Sequence, residues 1–201
     1  MKKFFALLLV LTMGLSIFAA CGKKTEAPAA DPTTEATETT EPEAVIGSSL
    51  EILENIWAKY GDDEKFFVMG GNMESAVTDG PGNYDLQYSE NLPFNLLIPE
   101  AEITNVDQVA SMIHGMNANT FTSGVFHLVD GVSAETFAAT MNQAIAGNMW
   151  MCGFPERQVV VSFPGNYVLI AFGVNDAMTP FFTHLQEAYP EANVLFDEPI
   201  A

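Results

Sequence analysis

The chain has 201 residues, 48% of them hydrophobic, with 26 acidic side chains against 7 basic ones and a net charge of −19. Beyond residue 44 only Lys59, Lys65 and Arg157 stand against twenty acids, which excludes nucleic acid and anionic lipid headgroups as partners of that part. Two cysteines exclude a disulfide framework.

The first elements concern location. Lys2 and Lys3 precede an apolar run from Phe4 to Phe18, followed by Ala19-Ala20-Cys21-Gly22. A basic start, an apolar stretch and small residues before a cysteine predict a bacterial export signal over residues 1–20, with Cys21 as the lipid-attachment site. As a transmembrane span the run is short, covering about 22 Å of a hydrocarbon core roughly 30 Å thick. Plain secretion is the alternative, and Phe18 stands where a lipoprotein signal usually has leucine. Residues 21–44 contain no aromatic and no large aliphatic side chain, so they predict a disordered Thr/Glu/Pro/Ala-rich tether. Extended, it spans on the order of 70 Å. The expected location is the outer face of the cytoplasmic membrane, with residues 45–201 as one α+β domain.

Within that domain, Leu50, Leu53, Ile56, Trp57 and Tyr60 outline an amphipathic helix ended by Gly61. Phe66 to Met69 and Phe94 to Ile98 read as short extended runs, separated by a Gly/Asp/Asn-rich loop. Val106, Val109, Ala110, Ile113 and Met116 recur at helical steps and predict a second helix.

The clearest pattern lies further on. Phe121 to Val129 is a β-branched and aromatic run ended by Asp130-Gly131. Ser133 caps a helix carrying Phe137, Ala138, Met141, Ile145 and Met149 on one face. Gln158 to Phe163 and Tyr167 to Val174 are strands joined by Pro164-Gly165-Asn166, a tight turn. Met178, Phe181, Phe182, Leu185, Ala188 and Tyr189 trace a last helix, opened by Asp176 or by Thr179 with Pro180 in its first turn. Asn193 to Phe196 completes an edge strand. This order predicts a ferredoxin-like βαββαβ sheet over about residues 120–196, with both helices on one face. Its apolar strands lack alternation, so the other face must be covered, either by the N-terminal helical segment or by a second molecule in a homodimer.

Catalytic motifs are missing from the sequence. His114, His127 and His184 are isolated, at no spacing that puts two imidazoles on one metal. His127 reads as a hydrogen-bonded interior residue and His184 as a residue on the polar side of the last helix, near Glu187. Met149, Met151 and Cys152 are soft sulfur ligands in principle, but Met69, Met116, Met141 and Met178 fall at core positions and the apolar run around Cys152 predicts a buried thiol. No cofactor or metal site is expected. Arg157, the lone arginine of the domain, is the one candidate for clamping a carboxylate ligand, with pairing to Glu156 or Asp130 as the competing reading.

The stretch VFHLVDGVSAETFAATMNQAI followed by FPERQVVVSFPGNYVLIAFG resembles a family of Gram-positive, mostly clostridial, lipoproteins of unknown function. The resemblance covers roughly residues 91–174 together with the signal and tether, and its motifs are fold-forming. It implies an envelope lipoprotein and transfers no site residue. The sequence therefore predicts a noncatalytic binding or accessory module for a small ligand or an envelope protein. The alternative is an envelope hydrolase acting through dispersed carboxylates.

Overall fold

The protein is described by a computed structural model covering residues 45–200; the expected signal, Cys21 and the whole tether lie outside them. The first helix, α1 (Ser49–Trp57), begins where Ser48 Oγ accepts a hydrogen bond from the Glu51 amide at 3.1 Å. The Glu51 carboxylate in turn accepts from the Gly47 amide at 2.8 Å, so one first-turn donor and the amide just before the cap are both satisfied, in the manner of a capping box. Three short strands follow, β1 (Val68–Gly70), β2 (Val77–Thr78) and β3 (Gly82–Asn83), then a five-residue helix α2 (Leu92–Leu96). The second half contains β4 (Val106–His114), β5 (Phe121–Leu128), α3 (Ala134–Ala146), β6 (Arg157–Phe163), β7 (Tyr167–Gly173), α4 (Asn175–Ala188) and β8 (Asn193–Pro199).

All eight strands form one antiparallel sheet in the order β2-β1-β4-β5-β7-β6-β8, with β3 also paired to β4. The fold is mixed α+β, but it departs from the ferredoxin-like order. In that arrangement the last strand lies beside the first; here β4 holds that edge of β5 through a register running from Val106↔Leu128 to Ile113↔Thr122. The final strand must therefore pair with β6.

The helix placement follows from the same change. Both crossovers, β5 to β6 over β7 and β7 to β8 over β6, now move in the same direction along the sheet, while β5 and β7 run antiparallel. Two right-handed connections with those directions put their helices on opposite faces. The core divides accordingly. Val159, Val161, Leu169 and Ala171 face a cluster with Met178, Phe181 and Leu185 of α4. The intervening Val160, Val168, Ile170 and Phe172 face Phe137, Ala138, Met141 and Ile145 of α3. The N-terminal helix lies on the α4 side, through Ile52, Leu53, Ile56 and Trp57. It does not cover the opposite face, which holds α2 and α3.

Residues 106–114 are a strand, not the expected helix. A bulge between Val106 and Gln108 adds one residue, leaving Asp107 and Gln108 both exposed and Val109 buried again. That produces a three-residue apolar step inside a strand. From Val109 to Met112 every residue is buried, so the two-residue alternation is lost as well. The run Phe94 to Ile98 also differs from expectation. Pro93 sits in the first turn of α2, and Leu97 turns left-handed at φ 56° to end it. The last helix starts earlier than expected, at Asn175, whose amide donates to Glu156 Oε2 at 2.7 Å. Pro180 lies inside it.

Two further expectations are corrected. His184 is buried rather than on a polar face: Nδ1 lies 3.0 Å from Glu187 and Nε2 3.5 Å from Glu64, with the ring 4.4 Å from Tyr60. Burial first, and Glu64 second, push the Tyr60 hydroxyl pKa well above its usual range, so it stays neutral. Met116 is 81% exposed, because the β4–β5 connection carries it past the end of the sheet. Among the described residues, no helix is long and apolar enough to cross a membrane.

Candidate functional site

One end of the sheet opens into a cleft of about 520 Å³ between three segments. Pro93, Phe94, Asn95 and Leu97 form one side, and Ala118, Asn119 and Thr122 come from the β4–β5 hairpin. The third side is the loop from Asn148 to Cys152, which joins α3 to β6. No lining residue is charged.

The loop is the unusual part. The sequence Met149-Trp150-Met151-Cys152 reads as buried, yet Met149 and Met151 are 89% and 78% exposed and Cys152 is exposed. Phe94, on the opposite side, is 88% exposed. Only Trp150 turns inward, 5.2 Å from the Phe172 ring. Trp150 Nε1 is shielded from solvent and has no acceptor, an unusual state for a buried donor.

Two asparagines of the hairpin fix the loop. Asn117 Nδ2 donates to the Cys152 carbonyl at 2.9 Å, and Asn119 Nδ2 to the carbonyls of Met151 at 2.7 Å and Gly153 at 3.1 Å. The backbone at Cys152 is left-handed, φ 62°, and Gly153 follows at φ 140°, a conformation that L-residues rarely hold unaided. The side chains of 149 and 151 are thus presented outward by a polar clamp. Replacing Asn119 with alanine leaves two carbonyls without that donor, and we expect a loss of about 1–2 kcal/mol with faster amide exchange across residues 148–153. Unchanged exchange there would contradict the clamp.

Arg157 lies elsewhere. Its Nε and Nη2 donate to the two Asp197 carboxylate oxygens at 2.7 and 2.8 Å, and the guanidinium sits 4.8 Å over the Phe182 ring. The bond to Asp197 raises its pKa further. Its partner is neither Glu156 nor Asp130. A smaller hollow of about 230 Å³ there gathers Glu156, Arg157, Asp197 and Glu198. Each of these groups has a structural partner: Glu156 the Asn175 backbone amide, Asp197 the arginine, Glu198 the Asn142 side-chain Nδ2 at 3.1 Å. A ligand carboxylate would have to displace Asp197 from Arg157.

The remaining candidates are dispersed. His127 pairs with Asp107, which the β4 bulge aims at it. Among the described residues, no three His, Cys, Asp or Glu side chains gather as a metal site. Cys21 lies outside the described residues. Compared with protein-family models, curated proteins and solved structures, the chain matches none.

Proposed function

We propose that this protein is a lipid-anchored module of the bacterial envelope, held at the outer face of the cytoplasmic membrane through Cys21, that binds an uncharged apolar group in its cleft. The anchor rests on the basic, apolar and small-residue order of positions 2–21, and on the likeness to clostridial lipoproteins. Binding rests on one observation: Phe94, Met149 and Met151 stand almost fully in solvent around an uncharged cleft. Soluble domains rarely leave several large apolar side chains together in water unless something covers them.

The chemistry of the walls supports recognition rather than reaction. The volume lies within the roughly 300–1,000 Å³ typical of ligand sites. Methionine thioethers are flexible and polarizable, so they adapt to differing apolar shapes. Of the polar lining residues, Asn148 is left for orientation, since Asn119 Nδ2 is committed to the loop carbonyls, Asn95 Nδ2 to the Tyr84 hydroxyl and Thr122 Oγ1 to the Ala118 carbonyl. No carboxylate, imidazole, amine or guanidinium lines the cleft, and its one nucleophile, the Cys152 thiol, has no base among the lining residues.

A neutral solvatochromic dye such as Nile red tests this on the isolated domain, whose described residues 45–200 share one sheet with a core on each face. Saturable binding with a blue-shifted emission is expected, weakened about tenfold or more when Phe94, Met149 and Met151 are changed together to serine. Binding that ignores those substitutions, or no saturable binding, would overturn the reading.

A further inference from the structure

The distribution of charge around the cleft names its occupant. All three basic residues of the described part belong to the other face or its edge. Lys65 lies 5.6 Å over the Trp57 ring of α1, Lys59 follows the end of α1, and Arg157 stacks on Phe182 of α4 while paired with Asp197. The segments that build the cleft carry no charge of either sign. In sequence, the exposed Glu90 and Glu100 lie on either side of the wall of residues 93–97. An uncharged apolar trough thus lies on a domain with twenty acids and three bases, none of the three on the segments that line it.

We infer that the cleft docks a basic amphipathic helix of an envelope protein or peptide, laying its apolar stripe against Phe94, Met149 and Met151 and its Lys/Arg face toward the acidic surface of the domain. This rests on the binding role proposed for the cleft and specifies its partner. Helix-in-groove recognition needs apolar contacts at i, i+3 or i+4 and i+7. Unbranched methionines suit such a stripe because they repack around different side chains. The acidic field steers a cationic segment to the site and repels an anionic one. Two other occupants fit less well. A second copy brings the same strongly negative charge to the interface. The chain's own residues 22–44 hold six acids and no large apolar residue to fill the trough.

The test uses fluorescence anisotropy of the soluble domain with a labelled Leu/Lys peptide of about fourteen residues, roughly four helical turns. Comparison peptides replace every lysine with glutamate, or scatter the leucines around the helix. The inference expects micromolar binding of the first peptide and at least about tenfold weaker binding of both others. It expects further weakening as salt rises, and about tenfold loss in the Phe94/Met149/Met151 triple serine variant but not in Val194→Ser at the far edge strand. Equal binding by the triple variant would mean unspecific attraction to an acidic surface, and would overturn it. Equal binding of the scattered peptide, or tighter binding to phosphatidylglycerol vesicles than to the peptide, would do the same. If Nile red occupies the cleft but the basic peptide does not, only the partner assignment fails; if neither binds, the binding role fails with it.

Discussion

Replacing Phe121 with alanine is expected to remove about 3–5 kcal/mol of stability, the range for deleting a buried aromatic ring without full collapse of its site. Phe121 is fully buried at the start of β5, the strand paired to both β4 and β7. Its ring packs edge-on 5.3 Å from Phe66 and 5.0 Å from Phe181. It therefore joins the loop after α1 to α4, the two parts that cover this face of the sheet. A domain of this size has about 5–15 kcal/mol in total, so about a fifth or more would be lost. Urea unfolding of the variant beside Val194→Ser, expected within about 0.5 kcal/mol of the parent, measures it. A loss below about 1 kcal/mol would contradict the packing described.

The second large effect comes from backbone crowding. A Cβ at Gly70 would stand 2.1 Å from the Gly82 nitrogen, 2.3 Å from the Pro81 carbonyl carbon and 2.6 Å from the Gly80 oxygen. None of these is a flexible side chain that can swing aside. Gly70→Ala must push β3 away from β1 or twist β1 from β4, and we expect a cost of about 3 kcal/mol. The damage has a local signature. The amides of Asp79 and Tyr84, bonded to Val68 and Val109 carbonyls at 2.9 and 2.8 Å, should exchange faster than those of β5 and β7. Uniform exchange, or no loss of stability, would contradict the close approach.

Much of the second half was legible from local chemistry. Ser133 caps α3 by accepting from the Thr136 amide at 3.2 Å, and Gly165 and Asn166 adopt the positive φ that closes the β6–β7 hairpin. The uninterrupted apolar strands pointed to a sheet covered on both sides, and the two core clusters lie that way. The strand order was not legible, because it turns on β4, whose bulge gave it a helical period. Once that segment is a strand beside β5, the position of β8 and the split of the helices follow.

The cleft escaped notice for a related reason. An apolar run such as residues 149–152 reads as core when composition alone is weighed. Its flanks carried the missing signal: Gly147 on one side and Gly153 on the other mark a loop, where large apolar side chains find little core to enter. Asn117 and Asn119, distant in sequence, then hold that loop open. Arg157 stood out for its rarity, but its bidentate partner Asp197 lies forty residues away on β8, a pairing that only the final strand order creates.

The central claim is that an acidic binding domain is carried outside the cytoplasm on a lipid joined to Cys21. Feeding an alkyne-tagged fatty acid to bacteria that make the full chain tests it directly. The expected result is a labelled protein that sediments with membranes, and no label on the Cys21→Ser variant. An unlabelled parent chain, or equal labelling of both, would contradict it.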